Sequence, residues 1–273
     1  MWLGRVVAAA AYASAQPNVA RPPWRAPALH TPRATTPRAD FALGVDVGTG
    51  SARAGLVDLK TGALVAVRKR DIAMFHPKAD YYEQSSDDVW DAICECVNGA
   101  LADAGASPSS VVGLAFDATC SLVCVDSTGA PVGVDPDARD DPSRNIIVWL
   151  DHRAEEQAAR INALGHERLK TVGGTISPEM QMPKLLWLRE ELPDAFAATD
   201  KFFDLSDYLS WRATDRAVDI RSLCTVVCKW NYDAPDVGGV GWDRSYIEQI
   251  GFGADELPPS SIGVTVSPPG AAI

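Results

Sequence analysis

No run of about 18 apolar residues occurs anywhere in the 273 residues, so no helix of membrane-spanning length is expected. A basic excess is also missing. Net charge is −11, which argues against nucleic acid as the main partner, because phosphate backbones need a basic face. Six cysteines are present, yet none form C-x-x-C. Cys94/Cys96 are spaced i,i+2 and Cys120/Cys124 and Cys224/Cys228 i,i+4, which excludes zinc-knuckle and thioredoxin spacings and predicts buried free thiols. Hydrophobic residues at 47% and charged residues at 22% describe an ordinary chain able to bury a core, and collagen-like, coiled-coil and disordered classes are excluded. No internal repeat is visible.

Acids are scarce in residues 1–40, which carry five arginines (Arg5, Arg21, Arg25, Arg33 and Arg38) against Asp40, with six prolines and eleven alanines. This composition predicts a disordered leader. It reads as an organellar transit peptide, as a weak secretory signal ending near Ala13-Ser14-Ala15, or as an extension without function. Plastid or mitochondrion is the destination if the leader is a transit peptide, and cytoplasm otherwise.

From Phe41 the texture changes. Phe41–Val47, Ala52–Leu59 and Ala63–Ile72 read as three strands joined by short turns, an antiparallel meander. Ser85 caps a helix whose first turn holds Asp87 and Asp88, with Trp90, Ile93, Cys94, Val97 and Leu101 on its core face. Val111–Phe116 reads as a buried parallel strand, followed by strands at Leu122–Val125 and Asn145–Leu150. Helices are expected at Ala154–Leu164, Pro183–Glu191 and Ser206–Ala213, and the Pro-, Ser- and Gly-rich tail from Glu256 is expected to end without a closing element. The fold class is α/β, a mixed sheet with a meander flanked by helices.

Three segments carry chemistry. Asp46-Val47-Gly48-Thr49-Gly50-Ser51 sits between two strands. An acid at a strand end suits a water-bridged Mg²⁺, and two glycines let N–H groups close on phosphate oxygens as a small nest. It is neither a dinucleotide fingerprint, since Arg53 takes the third glycine position, nor a P-loop. A plain hairpin turn is the competing reading. In Asn145–Arg153, strand alternation would bring Trp149, Asp151 and Arg153 to one side as a polyol-binding set, with His152 pointing away in a structural role. A surface Asp–Arg pair beside a core tryptophan competes with it. In Gly173–Lys184, Pro183 is expected at the first helical position, which puts Lys184 in the first turn against the helix dipole. A charge aimed at substrate and a solvated lysine both fit.

Together these strings resemble the N-terminal half of the FGGY family of carbohydrate kinases, in the actin-like (ribonuclease H-like) ATPase superfamily. The likeness spans about Phe41 to Ile273. It rests on Asp46-x-Gly48-Thr49-x-Ser51, Glu83-Gln84-Ser85 before Trp90, Phe116–Val123, Val148–Ala154, Glu179–Leu188 and Ser222–Trp230. The longer strings are similar to the ribulokinase-like branch and its D-ribulokinases. That resemblance implies the first of two domains, ATP and Mg²⁺ as cofactors, and transfer of the γ-phosphoryl group to a ketopentose such as D-ribulose. It implies Asp46 at the metal and Gly48, Thr49, Gly50 and Ser51 facing the phosphates, with Arg53 adding positive charge. It implies Trp149, Asp151 and Lys184 in the sugar pocket, with Arg153 beside them.

Asp117, Ala118 and Thr119 fall where glycerol kinases of the family carry an arginine and an acid, so room for a longer ketose is expected there. The family's general base is an aspartate in a glycine-rich segment after the stretch matched here by Pro268-Pro269-Gly270, so negligible activity is expected of this chain alone. No nucleic-acid or membrane partner is implied, and a homodimer of the full-length enzyme is left open. A non-catalytic sugar- or phosphate-binding module, a kinase for L-ribulose, xylulose or ribitol, and another actin-like ATPase are the alternatives.

Overall fold

The computed structural model describes residues 40–138 and 141–273. The leader call on residues 1–40 lies, except for Asp40, outside the described residues.

Along the chain run β1 (Phe41–Gly48), β2 (Ser51–Asp58), β3 (Leu64–Asp71), β4 (Glu83–Gln84), α1 (Ser86–Asp103), β5 (Val111–Ala118), β6 (Leu122–Val125) and β7 (Ile146–Ile147). Then come α2 (Glu155–Ala163), α3 (Gln181–Glu191), α4 (Pro193–Ala198), β8 (Lys201–Asp204), α5 (Leu205–Ala213), β9 (Ile220–Ser222), α6 (Leu223–Lys229), α7 (Arg244–Gln249), α8 (Pro259–Ile262) and β10 (Thr265–Ser267).

The first sheet has the order β3-β2-β1-β5. Its meander is antiparallel, as expected, and β5 joins β1 in parallel. Period-two alternation aims Leu43, Val45, Val47, Ala52, Ala54 and Leu56 at α1. Ser85 accepts a bond from the Asp88 backbone N–H at 3.3 Å, so the predicted cap forms. The buried stripe of α1 is Val89, Ile93, Cys96, Val97 and Leu101, with Trp90 and Cys94 only half-buried at its border. Arg68 clamps Asp103 through two bonds and Arg70 meets Asp88 and Glu95, which pins β3 to the helix. The expectation of a buried β5 fails. β5 is parallel but lies at the sheet edge, with Val111 alone buried and Val112, Ala115 and Asp117 exposed.

The second sheet, β4-β7-β6-β8, is antiparallel throughout. It separates two cores. Val123, Val125 and Phe203 face the α1 side, with Tyr208 and Trp211 of α5. Leu122, Cys124 and Phe202 face the other side, against Leu185, Leu186 and Leu188 of α3. A strand buried on both faces has no alternation to display, which is why Leu122–Val125 reads as one apolar run. Contrary to expectation, the tail does close on the fold: β10 pairs in parallel with β9. The strand expected over 145–150 shrinks to Ile146–Ile147 and gives way to a turn at Trp149 and Leu150. Pro183 is the third residue of α3, not the first.

Candidate functional site

The β1–β2 hairpin turns through Thr49 and Gly50, with Gly48 paired to Ser51. Gly48 and Gly50 both lack positive φ, so the turn has no left-handed residue and the expected nest of alternating hands does not form. Backbone strain therefore does not explain the glycines. A Cβ on Gly50 would meet nothing within 4 Å, and one on Gly48 only Arg53 Nη1 at 3.6 Å and the Ser51 carbonyl at 3.8 Å. Their cradle is open to a group approaching from outside.

Three elements hold this turn. Gln84 Nε2 donates to the Thr49 carbonyl at 2.8 Å, Trp149 Nε1 donates to Thr49 Oγ1 at 3.0 Å, and the Thr119 backbone N–H donates to the Val47 carbonyl at 3.0 Å. Ser121 Oγ accepts from the Trp149 backbone N–H and lies 3.1 Å from Thr119 Oγ1. Lys184, wholly buried, donates to the carbonyls of Val148 at 2.9 Å and Trp149 at 3.4 Å. The structure thus joins Gly48, Thr49, Gly50, Thr119, Trp149 and Lys184 in one contiguous network, and Ala118 ends β5 beside Val47.

Lys184 is not a solvated lysine. Burial lowers its pKa to about 7, against the opposing pull of Asp151. It therefore titrates near neutrality, seated under the turn that presents Trp149.

Asp46, Arg53 and Asp117 form a second group, on the open face of the first sheet. Register pairs Asp46 with Arg53 on β2 and with Asp117 on β5. Arg53 Nη1 lies 2.6 Å from Asp46 Oδ2, and both side chains are about half exposed. Such an exposed pair contributes about 0–1 kcal/mol, so a ligand displaces it at little cost. An open depression of about 380 Å³ contains all three residues with Gly44, Gly55 and Leu64. Asp117 thus stands with Asp46, and not with Thr119 as expected. Ser51 shares this face by register but is only 5% exposed. A cavity of about 370 Å³ lies elsewhere, between β5, α5 and the C-terminal residues, and none of the sequence-predicted residues lines it.

Among the described residues no cluster of three or more His, Cys, Asp or Glu side chains forms a metal cage. Asp46 with Asp117 is instead a pair of hard oxygen donors on an open face. That donor set fits Mg²⁺, which keeps several of its waters and takes one or two carboxylates.

Asp151 and Arg153 depart from expectation. With the strand ending at Ile147, they do not alternate beside Trp149. Both are buried in an ionic core: Arg153 Nε contacts both Asp151 oxygens, Nη2 contacts Asp151 at 2.8 Å and Glu83 at 2.9 Å, and Nη1 donates to the Val134 carbonyl. The guanidinium also lies 4.2 Å from the Tyr81 ring centroid and 4.9 Å from that of Trp187. Asp151 accepts in addition from the Tyr82 backbone N–H at 2.6 Å. With these bonds made, neither side chain is offered to a ligand. His152, expected to be structural, sits at the surface 3.1 Å from Glu179.

Sequence reasoning assigned no role to Gln84, Ser121, Gln181, Asp204 or Trp230. Gln181 Nε2 bridges the Cys120 carbonyl at 3.1 Å and Asp204 Oδ2 at 3.2 Å, and Trp230 Nε1 reaches the same oxygen at 3.4 Å. Burial first, then Asp207, raises the Asp204 pKa to about 7, against the hydrogen bonds from Gln181 and Trp230. The signal available in sequence was an acid inside the apolar string Phe202-Phe203-Asp204-Leu205.

Residues 41–260 match the model of the FGGY family of carbohydrate kinases, N-terminal domain. An FGGY carbohydrate kinase domain-containing protein of Homo sapiens is 46% identical over 237 residues, covering 85% of this chain and 41% of that protein. A D-ribulokinase of Saccharomyces cerevisiae is 40% identical over 219 residues, covering 79% of this chain and 30% of its own. A crystal structure of xylulose kinase from Rhodospirillum rubrum superposes with a TM-score of 0.67 at 21% identity, covering 82% of this chain and 42% of that one. At that identity the superposition speaks for the fold alone. The chain spans about two-fifths of the length of the human relative.

Proposed function

The chain belongs to the FGGY family of carbohydrate kinases, as its N-terminal domain, and from that premise we propose that it forms the sugar-binding and phosphate-facing half of an ATP-dependent ketopentose kinase. The substrate of the complete enzyme is D-ribulose and the product D-ribulose 5-phosphate. One observation carries this reading: the Trp149 indole N–H bonds the Thr49 hydroxyl at 3.0 Å, so the loop that would face the phosphates and the aromatic residue that would face the sugar are directly joined. One of the relatives named above is called a D-ribulokinase, which favours that ketose over L-ribulose, xylulose and ribitol.

Bound Mg-ATP supplies the transferable phosphoryl group and the charge that neutralises it. This chain's own residues supply placement. Asp46, with Asp117 beside it, would hold the metal through water. The open cradle at Gly48 and Gly50 admits phosphate oxygens to the backbone, and Arg53 can swing from Asp46 to a phosphate. Trp149 presents a ring face to sugar C–H bonds, fixed from below by Lys184. Asp151 and Arg153 act indirectly, by anchoring the turn that carries Trp149.

The test is a coupled ADP-release assay of the full-length protein containing this domain, with D-ribulose, L-ribulose, D-xylulose and ribitol. Highest kcat/KM on D-ribulose is expected, with no turnover by the 273-residue chain alone. Preference for another acceptor overturns the substrate assignment, and turnover by the isolated chain overturns the division of labour.

A further inference from the structure

Of the six cysteines, Cys96 and Cys124 are buried, Cys94 and Cys120 half-buried, and only Cys224 and Cys228 exposed. Those two are the i,i+4 pair of α6, so they stand one above the other on a single helix face. Helix geometry puts their Cα atoms about 6 Å apart. That falls inside the Cα window of roughly 4.4–6.8 Å for a disulfide, while Cβ atoms at this spacing stand about 5–6 Å apart against the roughly 3.5–4.5 Å of a closed bridge, so closure draws this seven-residue helix in locally.

We propose that Cys224 and Cys228 form a redox-modification site, a dithiol that a low-mass disulfide such as glutathione disulfide converts to an intrahelical disulfide. In the first step a Cys224 thiolate attacks one sulfur of the oxidant and expels one glutathione thiolate. In the second the Cys228 thiolate attacks Cys224 Sγ in the mixed disulfide and expels the other glutathione. One Sγ–Sγ bond forms in the protein, the two protein thiols release two protons and two electrons, and one glutathione disulfide becomes two glutathione thiols.

The order follows from the surroundings. Burial, then the neighbouring Cys224, pushes the Cys228 thiol up, which disfavours it as the first nucleophile. Cys120, the remaining thiol in the neighbourhood, does not compete. Burial and then Asp204 push it up to about 11, which keeps it protonated. The bond would draw in the turn of α6 between Cys224 and Cys228, directly ahead of Trp230. Through Trp230 that turn holds Asp204, and through Asp204 it holds Gln181. The modification site therefore connects to the candidate site without contributing a ligand to it, and its existence does not depend on which sugar is phosphorylated.

The 273-residue chain is equilibrated with glutathione disulfide, its free thiols are trapped with N-ethylmaleimide, and peptides are mapped by mass. The expected result is loss of two hydrogens and of two alkylation sites, with the bridge mapped to Cys224–Cys228. It is absent in Cys224→Ser and in Cys228→Ser, where a stable glutathione adduct remains, and it persists in Cys120→Ser. A stable mixed disulfide on the wild-type pair, a bridge involving Cys120 or a second chain, or six alkylated thiols after oxidation would each overturn the proposal.

Discussion

Arg153→Met is the substitution that best separates a scaffold residue from a sugar ligand. Arg153 has a fully buried side chain and ties together Asp151, Glu83 and the Val134 carbonyl. Removing it leaves Asp151 without its bonded cation and Glu83 with only Arg144, 3.9 Å away, while keeping most of the side-chain volume. Breaking a buried pair in this way costs about 3–5 kcal/mol. For a domain of this size each kcal/mol moves Tm by roughly 2–4 °C, so a fall of about 6–20 °C is expected. Thermal unfolding by circular dichroism, supported by urea titration, measures it. Adding Glu83→Gln should recover part of the loss, because burial already raises the Glu83 pKa and the neutral amide needs no counter-ion. If Arg153→Met left Tm within about 2 °C of wild type while abolishing sugar binding, Arg153 would be a ligand group and the ionic-core reading would be wrong.

Three further outcomes are expected. The Asp204 carboxyl has a folded pKa of about 7 against an ordinary value of 3.8, so the folded state holds the extra proton between those values. Its contribution to stability is complete below about pH 4 and is lost as pH rises through 7; Asp204→Asn should flatten that slope in urea unfolding, gaining on the order of 4 kcal/mol at most relative to wild type at pH 8. Lys184 behaves oppositely. Its folded pKa of about 7 lies below 10.5, so wild type gains stability as pH rises between them, and Lys184→Met should compare more favourably with wild type at pH 6 than at pH 9. Last, Thr49→Val and Trp149→Phe should be non-additive in a double-mutant cycle, with a coupling of about 0.5–1.5 kcal/mol for their shared hydrogen bond.

The meander, the Ser85 cap and the helices at α1, α2, α3 and α5 are legible in the sequence because each has a local cause: alternation, a capping side chain, or helical spacing of apolar residues. Trp149, Thr49 and Lys184 are legible as a set because three separate strings carry them. The fates of Asp151 and Arg153 are not legible. Extending the strand past Ile147 by alternation puts them beside Trp149, whereas the chain turns at Trp149 and drops both into the core. Nothing local marks that turn, since its cause is distant: Tyr82, Glu83 and Val134 supply the partners that make burial of the two charges tolerable. Asp117 fails for a similar reason. Its side of the sheet depends on the register of β5 against β1, which only the folded pairing fixes. The exposure of Cys224 and Cys228 likewise depends on α6 lying at the surface, which a seven-residue helix does not announce through its pattern.

Calorimetric titration of D-ribulose into the 273-residue chain, compared among wild type, Trp149→Ala and Thr49→Val, bears most directly on a shared phosphate and sugar site. Weak binding by wild type is expected, lost in Trp149→Ala and reduced in Thr49→Val, whose substitution touches only the phosphate-side turn. Sugar binding indifferent to both substitutions would place the ligand elsewhere and contradict the account.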